Sequence, residues 1–133
     1  MADFAECYER LALYHAEVYV KLRDAYRSLL VIPVELPVME NAQGFIELAE
    51  DVARAALLLL DLPDHIQVIA ALQRATWNWL SSFHTLMVFK QYGTSASYHA
   101  TLFTIRSADR DLVAASTARE IPEPPDLDGP GKP

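Results

Sequence analysis

The chain has 133 residues, of which 52% are hydrophobic, and its 18 acidic and 11 basic side chains give a formal net charge of −7. This length suits one domain with a core of its own, and the excess of acids argues against the clustered basic surface that nucleic-acid binding requires. Cys7 is the single cysteine, no signal peptide is visible and no apolar run is long enough to span a membrane, so we expect a cytoplasmic protein without disulfides.

The first predicted helix covers residues 3–30. Apolar residues recur there at alternating spacings of four and three, which is typical of an amphipathic helix with one buried face. The members of this seam are Phe4, Tyr8, Leu11, His15, Val18, Leu22, Ala25 and Leu29. Asp3 is the expected N-cap, with Glu6 in the capping-box position. We expect His15 to be a hydrogen-bonded core residue, and a ligand-binding or pH-sensing role is the alternative.

Residues 31–40 interrupt the helical pattern because Pro33 and Pro37 cannot continue a helix. The segment is nevertheless apolar, so we expect it to cover one end of the helices or to form part of a contact surface. The second predicted helix covers residues 41–61, with Asn41 as its N-cap.

The third predicted helix covers residues 63–92 and ends at Gly93, a residue type that suits the left-handed backbone after a helix. It carries apolar residues on two faces, which is typical of a central helix or of one that lies between subunits. Trp77 and Trp79 are two positions apart, about 200° around the helix, so both cannot face one core. We therefore expect one of them to contact a flanking helix, another subunit or a partner protein.

The fourth predicted helix covers residues 97–119 and follows a run of small, mostly hydroxyl residues that suits an N-cap. Residues 120–133 hold five of the eight prolines and no apolar periodicity, which predicts a disordered acidic tail. Four helices with short connections predict an all-α four-helix bundle in a single domain at residues 1–119, with the helices in up-down-up-down order.

The apolar content and the second apolar face of the third helix predict a non-enzymatic protein–protein interaction module, such as an inhibitor, an immunity protein or an assembly subunit. The expected partner is another protein chain, either a second copy in a homo-oligomer or a different protein. No nucleic-acid or membrane partner and no cofactor is expected. The predicted partner-binding residues are Ile32, Leu36, Met39, Trp77, Trp79 and Met87.

Paired carboxylates support a second hypothesis. Glu47 and Glu50 form an E-x-x-E pair, and Asp61 and Asp64 form a D-x-x-D pair. These pairs resemble motifs of the all-α nucleotide pyrophosphatases of the MazG type, and the resemblance implies a magnesium site. Glu47 and Asp61 are separated by about 21 Å of helix rise, so the four carboxylates converge only across a subunit interface. The alternative function is therefore a metal-dependent or ligand-binding helical-bundle enzyme; otherwise these carboxylates are capping and surface groups.

Overall fold

The computed structural model describes residues 3–29, 35–38, 44–62 and 66–120. The described residues form four helices and no strand: α1 (Phe4–Leu29), α2 (Phe45–Leu60), α3 (Gln67–Tyr92) and α4 (Ser95–Glu120). This confirms the predicted all-α class and the four-helix bundle. The predicted disordered tail lies outside the described residues except for Glu120, which is the last residue of α4.

Side-chain caps begin α1 and α4. Asp3 Oδ1 accepts a hydrogen bond from the main-chain N–H of Glu6 at 2.8 Å, as predicted. Thr94 Oγ1 accepts one from the main-chain N–H of Ser97 at 3.2 Å, within the predicted cap region. Each bond satisfies one of the N–H groups that the first turn of a helix leaves without a partner.

The starts of α2 and α3 lie further along the chain than predicted. The first helical residues are Phe45 and Gln67. Gly44 precedes α2 with a φ of 157°, a conformation that glycine adopts readily and other residues rarely adopt, so the helix begins directly after it. The predicted start signals, Asn41 and Pro63, lie outside the described residues.

Contacts between helices α1, α3 and α4 give their directions. The ring centroids of Phe4 and Phe89 are 5.0 Å apart, and the hydroxyl groups of Tyr26 and Thr76 share a hydrogen bond. The start of α1 therefore meets the end of α3, and the two helices are antiparallel. Only residues 93–94 link α3 to α4, which returns along α3 and is consequently parallel to α1.

Helix α2 is also antiparallel to α3. Near the end of α2, the main-chain carbonyl of Leu59 accepts a hydrogen bond from Gln73 Nε2 at 2.7 Å. Ile46, near its start, lines one groove with His84. Helices α1, α2 and α4 therefore point one way and α3 the other. The predicted up-down-up-down order is not confirmed, because α1 and α2, which follow one another in the chain, run in the same direction.

The core is centred on α3, which packs against each of the other three helices. The largest fully buried side chains include Tyr19, Leu22, Tyr26, Leu48, Leu59, Leu72, Trp79 and Ile105. The segment at 35–38 covers part of this core, since Leu36 is buried and its carbonyl accepts a hydrogen bond from Arg23 Nε at 3.1 Å. None of the described helices combines the length and the apolar character needed to cross a bilayer.

Candidate functional site

The two tryptophans of α3 face in different directions. Trp79 is fully buried, and its indole Nε1 donates a hydrogen bond to the main-chain carbonyl of His15 at 3.0 Å. Trp77 leaves 43% of its surface in solvent. The predicted division into one core and one surface tryptophan is therefore observed. Trp77 is the one that another molecule could contact.

A groove of about 430 Å³ lies between α2 and α3 beside Trp77. Its polar groups come from Glu50, Ser81 and His84, and the rest of its lining is apolar. The apolar lining residues are Ile46, Ala49, Ala53, Trp77, Leu80 and Phe83. Leu80 and Phe83 are nearly buried and form the floor, so the opening is bordered by the first half of α2 on one side and by Trp77 on the other.

Helix α2 presents an apolar row along this groove, which we call the α2 stripe: Ile46, Ala49, Ala53, Leu57 and Leu60. Spacings of three and four place these residues on one face of the helix. Ile46, Leu57 and Leu60 are 69%, 58% and 56% exposed. The buried residues of α2 lie roughly 120° around the helix from the stripe and are Leu48, Val52, Ala55, Ala56 and Leu59. The stripe is thus a second apolar face, on which Ile46, Leu57 and Leu60 are more than half exposed while Ala49 and Ala53 are partly buried against the core.

The six predicted partner-binding residues have different positions. Trp77 lines the groove, and Met87 is half-buried against a small cluster that contains Leu11 and Phe89. Ile32 and Met39 lie outside the described residues. Trp79 and Leu36 require a correction: both are buried within the chain. Trp79 is covered because α1 crosses its face of α3, and Leu36 because the 35–38 segment is bound to α1.

His15 belongs to the core, as expected, and not to an open site. Its Nε2 lies 3.3 Å from the main-chain carbonyl oxygen of Trp79, and its ring stacks on the indole with centroids 4.1 Å apart. Burial lowers the pKa of His15 to about 4, and the hydrogen bond to the Trp79 carbonyl partly opposes this shift. The ring is therefore neutral at neutral pH, with Nε2 carrying the proton because a carbonyl can only accept. Among the described residues, Nδ1 has no hydrogen-bond partner.

The carboxylates of the metal hypothesis are not brought together within one chain. Glu47 and Glu50 lie on the first turns of α2, and Asp61 follows its last residue. Over residues 3–29, 35–38, 44–62 and 66–120, no group of three or more His, Cys, Asp or Glu side chains could hold a metal ion. Asp64 lies outside these ranges.

A second cleft, of about 490 Å³, lies between α1 and α4, and sequence reasoning did not find it. It is lined by Tyr14, His99, Leu102, Phe103, Arg106, Asp109 and Arg110. Aromatic and basic residues recur at helical spacing along α4, and this pattern could have indicated the cleft. Asp109 already binds Lys21 at 3.1 Å and lies 3.5 Å from the hydroxyl of Tyr14. This cleft is therefore more polar than the groove at α2, and one of its charged side chains is already paired within the chain.

Comparisons with protein-family models, with curated proteins and with solved structures found no match for this chain. The geometry of the chain itself is therefore the basis for assigning a function. Its most distinctive surface is the α2 stripe together with the neighbouring groove and Trp77, which we call the α2–α3 face.

Proposed function

We propose that this protein is a non-enzymatic interaction module whose α2–α3 face binds another protein chain. The observation that carries the proposal is the α2 stripe beside the exposed Trp77. Contiguous exposed apolar surface marks interaction sites, and a partly exposed tryptophan at the edge of a pocket is the side-chain type that dominates binding energy. The single thiol, Cys7, is consistent with a reducing, cytoplasmic setting as part of the same proposal.

The strength of this surface follows from the area that it leaves in water. Full burial of a leucine or isoleucine contributes about 1.5–3 kcal/mol, so covering the exposed half of Ile46, Leu57 and Leu60 contributes about 1 kcal/mol each. Association itself costs about 4–15 kcal/mol in lost freedom. The stripe alone therefore does not support binding, and a partner must bring apolar surface of its own and cover Trp77 as well. A polar small molecule or a hydrated ion does not meet this requirement.

Site-specific photo-crosslinking tests the proposal. A benzophenone amino acid replaces Trp77 in the full-length chain, and the matched control carries it at Phe103, an aromatic residue of α4 that is 63% exposed. After irradiation in cells of the source organism, we expect discrete covalent protein adducts from position 77 and none from position 103. An adduct of twice the chain mass identifies a second copy, and any other discrete mass identifies a different protein.

Two outcomes would contradict the proposal. Adducts from position 103 with none from position 77 would move the binding surface to the α1–α4 cleft. An absence of adducts from both positions, with the folded chain present at its normal level, would remove the basis for an interaction module at either surface.

A further inference from the structure

We infer that the chain bound by the α2–α3 face is a second copy of this protein, in a two-fold dimer whose α2 helices lie antiparallel with Ala53 at the axis. This inference rests on the proposed function, because it names the partner of the same face. The order of side-chain sizes along the α2 stripe carries it.

Antiparallel pairing about Ala53 sets a single register for the stripe. Ala53 then faces Ala53 of the second copy, Ala49 faces Leu57, and Ile46 faces Leu60. Alanines at the axis allow the helix backbones to approach closely, while Leu57 fills the space that the small side chain of Ala49 leaves open. Because the two copies are related by a two-fold axis, each contact between different residues, such as that between Leu57 and Ala49, occurs twice. This repetition is characteristic of an isologous interface.

The groove extends this fit onto α3. Ala49 and Ala53 belong both to the stripe and to the groove wall, so a side chain that faces Ala49 also points toward the groove floor. Leu57 of the second copy is therefore placed against Leu80 and Phe83, and Trp77 closes the edge. One apolar contact thus continues from α2 to α3, and Trp77 belongs to the same interface as the stripe.

The area of the face predicts a weak dimer. The 16 residues of α2 are about 24 Å long, and two packed helices present a face about 20 Å wide. The flat area is about 480 Å² per chain, or about 960 Å² for the pair, which is below the range of stable specific interfaces and within that of weak, transient ones. We therefore expect a weak and reversible dimer.

Disulfide trapping tests the register. In a chain that carries Cys7→Ser, the Ala53→Cys substitution places two thiols together at the axis, while the control Glu47→Cys places them at opposite ends of the interface. We expect mild oxidation to link Ala53→Cys chains about ten-fold faster or more than Glu47→Cys chains. A mixture of Ala49→Cys and Leu57→Cys chains should give the mixed dimer in preference to either symmetric one.

Sedimentation equilibrium of the full-length chain, from about 5 to about 500 µM, tests the association itself. We expect Leu57→Glu to weaken the dimer about ten-fold or more, while Leu13→Glu, at an exposed leucine of α1, leaves it unchanged. Any one of three results would overturn the self-pairing. These are a chain that stays monomeric at every concentration, a dimer that Leu57→Glu does not weaken, and equal rates of disulfide formation in the Ala53→Cys and Glu47→Cys chains. In that case, crosslinking of position 77 to a different protein would still support the proposed interaction module. If position 77 gives no adduct, both the self-pairing and the interaction module are contradicted.

Discussion

His15 and Trp79 each donate a side-chain N–H to the main-chain carbonyl of the other. The His15 Nε2 and the Trp79 carbonyl oxygen are 3.3 Å apart, and the Trp79 Nε1 and the His15 carbonyl oxygen are 3.0 Å apart. Their rings also stack, and both side chains are fully buried. One pair of residues therefore joins α1 to α3 through two hydrogen bonds and a ring contact, and the imidazole must stay neutral to fit.

The stability of the protein should depend on pH through His15. Its pKa is lowered to about 4 by burial, whereas the unfolded chain takes up this proton near pH 6.5. The contribution of neutral His15 is complete above pH 6.5 and is lost as the pH falls from 6.5 to about 4, by about 3 kcal/mol in total. Urea unfolding of the native chain and of His15→Phe, between pH 7 and pH 4.5, measures this contribution to the free energy of unfolding.

The comparison between these two chains isolates His15, because the carboxylates titrate in both. We expect the free energy of unfolding of His15→Phe to fall less steeply with acid than that of the native chain. Parallel curves for the native chain and His15→Phe would contradict the assignment.

Truncation of the two tryptophans should have opposite consequences for stability and association. Trp79→Ala removes a fully buried side chain and its hydrogen bond, so we expect a loss of about 3–5 kcal/mol in the free energy of unfolding. Trp77→Ala should lose about 1 kcal/mol or less and should weaken association instead. Urea titrations at one protein concentration measure the first effect. Similar losses from the two variants would contradict the orientation of α3.

Gly93→Ala should destabilise the turn between α3 and α4 mainly through the backbone. The φ of Gly93 is 65°, in the left-handed region, which costs an alanine about 1–2 kcal/mol. An added Cβ would also lie 3.2 Å from Cδ1 of Phe4, but this ring is half-exposed and can move aside. In a double-mutant cycle, Phe4→Ala should therefore recover less than half of the loss. Full recovery would assign the cost to the ring contact.

Magnesium or manganese ions should leave the melting temperature unchanged, for the native chain and for Glu50→Gln alike. The part of the chain that the structure describes offers no cluster of three ligating side chains, so we expect no gain in stability from metal binding to one chain. Differential scanning calorimetry with and without about 5 mM metal measures this. A metal-dependent rise that Glu50→Gln abolishes would support the interfacial enzyme hypothesis in place of the interaction module.

The buried face of α1 was predictable because apolar periodicity reports directly which side of a helix leaves water. The seam from Leu11 to Ala25 is buried as predicted, including its histidine. The direction of α2 was not predictable from the same pattern, since amphipathicity defines a face and not an orientation. The direction follows only from contacts such as the hydrogen bond between Gln73, near the start of α3, and Leu59, near the end of α2.

The candidate site was predictable in part. The spacing of Trp77 and Trp79 required two environments, but which residue is buried depends on the side of α3 that α1 crosses. The α2 stripe was missed because the run from Leu57 to Leu60 is apolar in every direction around the helix. A continuous run contains no period, so the sequence pattern did not distinguish the two apolar faces that the structure separates.

Because the four helices pack unequally, we expect them to form and to open in a definite order. The α3–α4 hairpin closes through two residues, so its contacts are local and form at little entropic cost. Helix α2 makes its extensive contacts with α3, whereas α1 and α4 each pack against two helices. Amide hydrogens of α2 should consequently exchange with solvent at the lowest opening free energy among the helices. The helix that carries the apolar stripe is thus the least tethered one, and covering the stripe would slow exchange along the whole of α2.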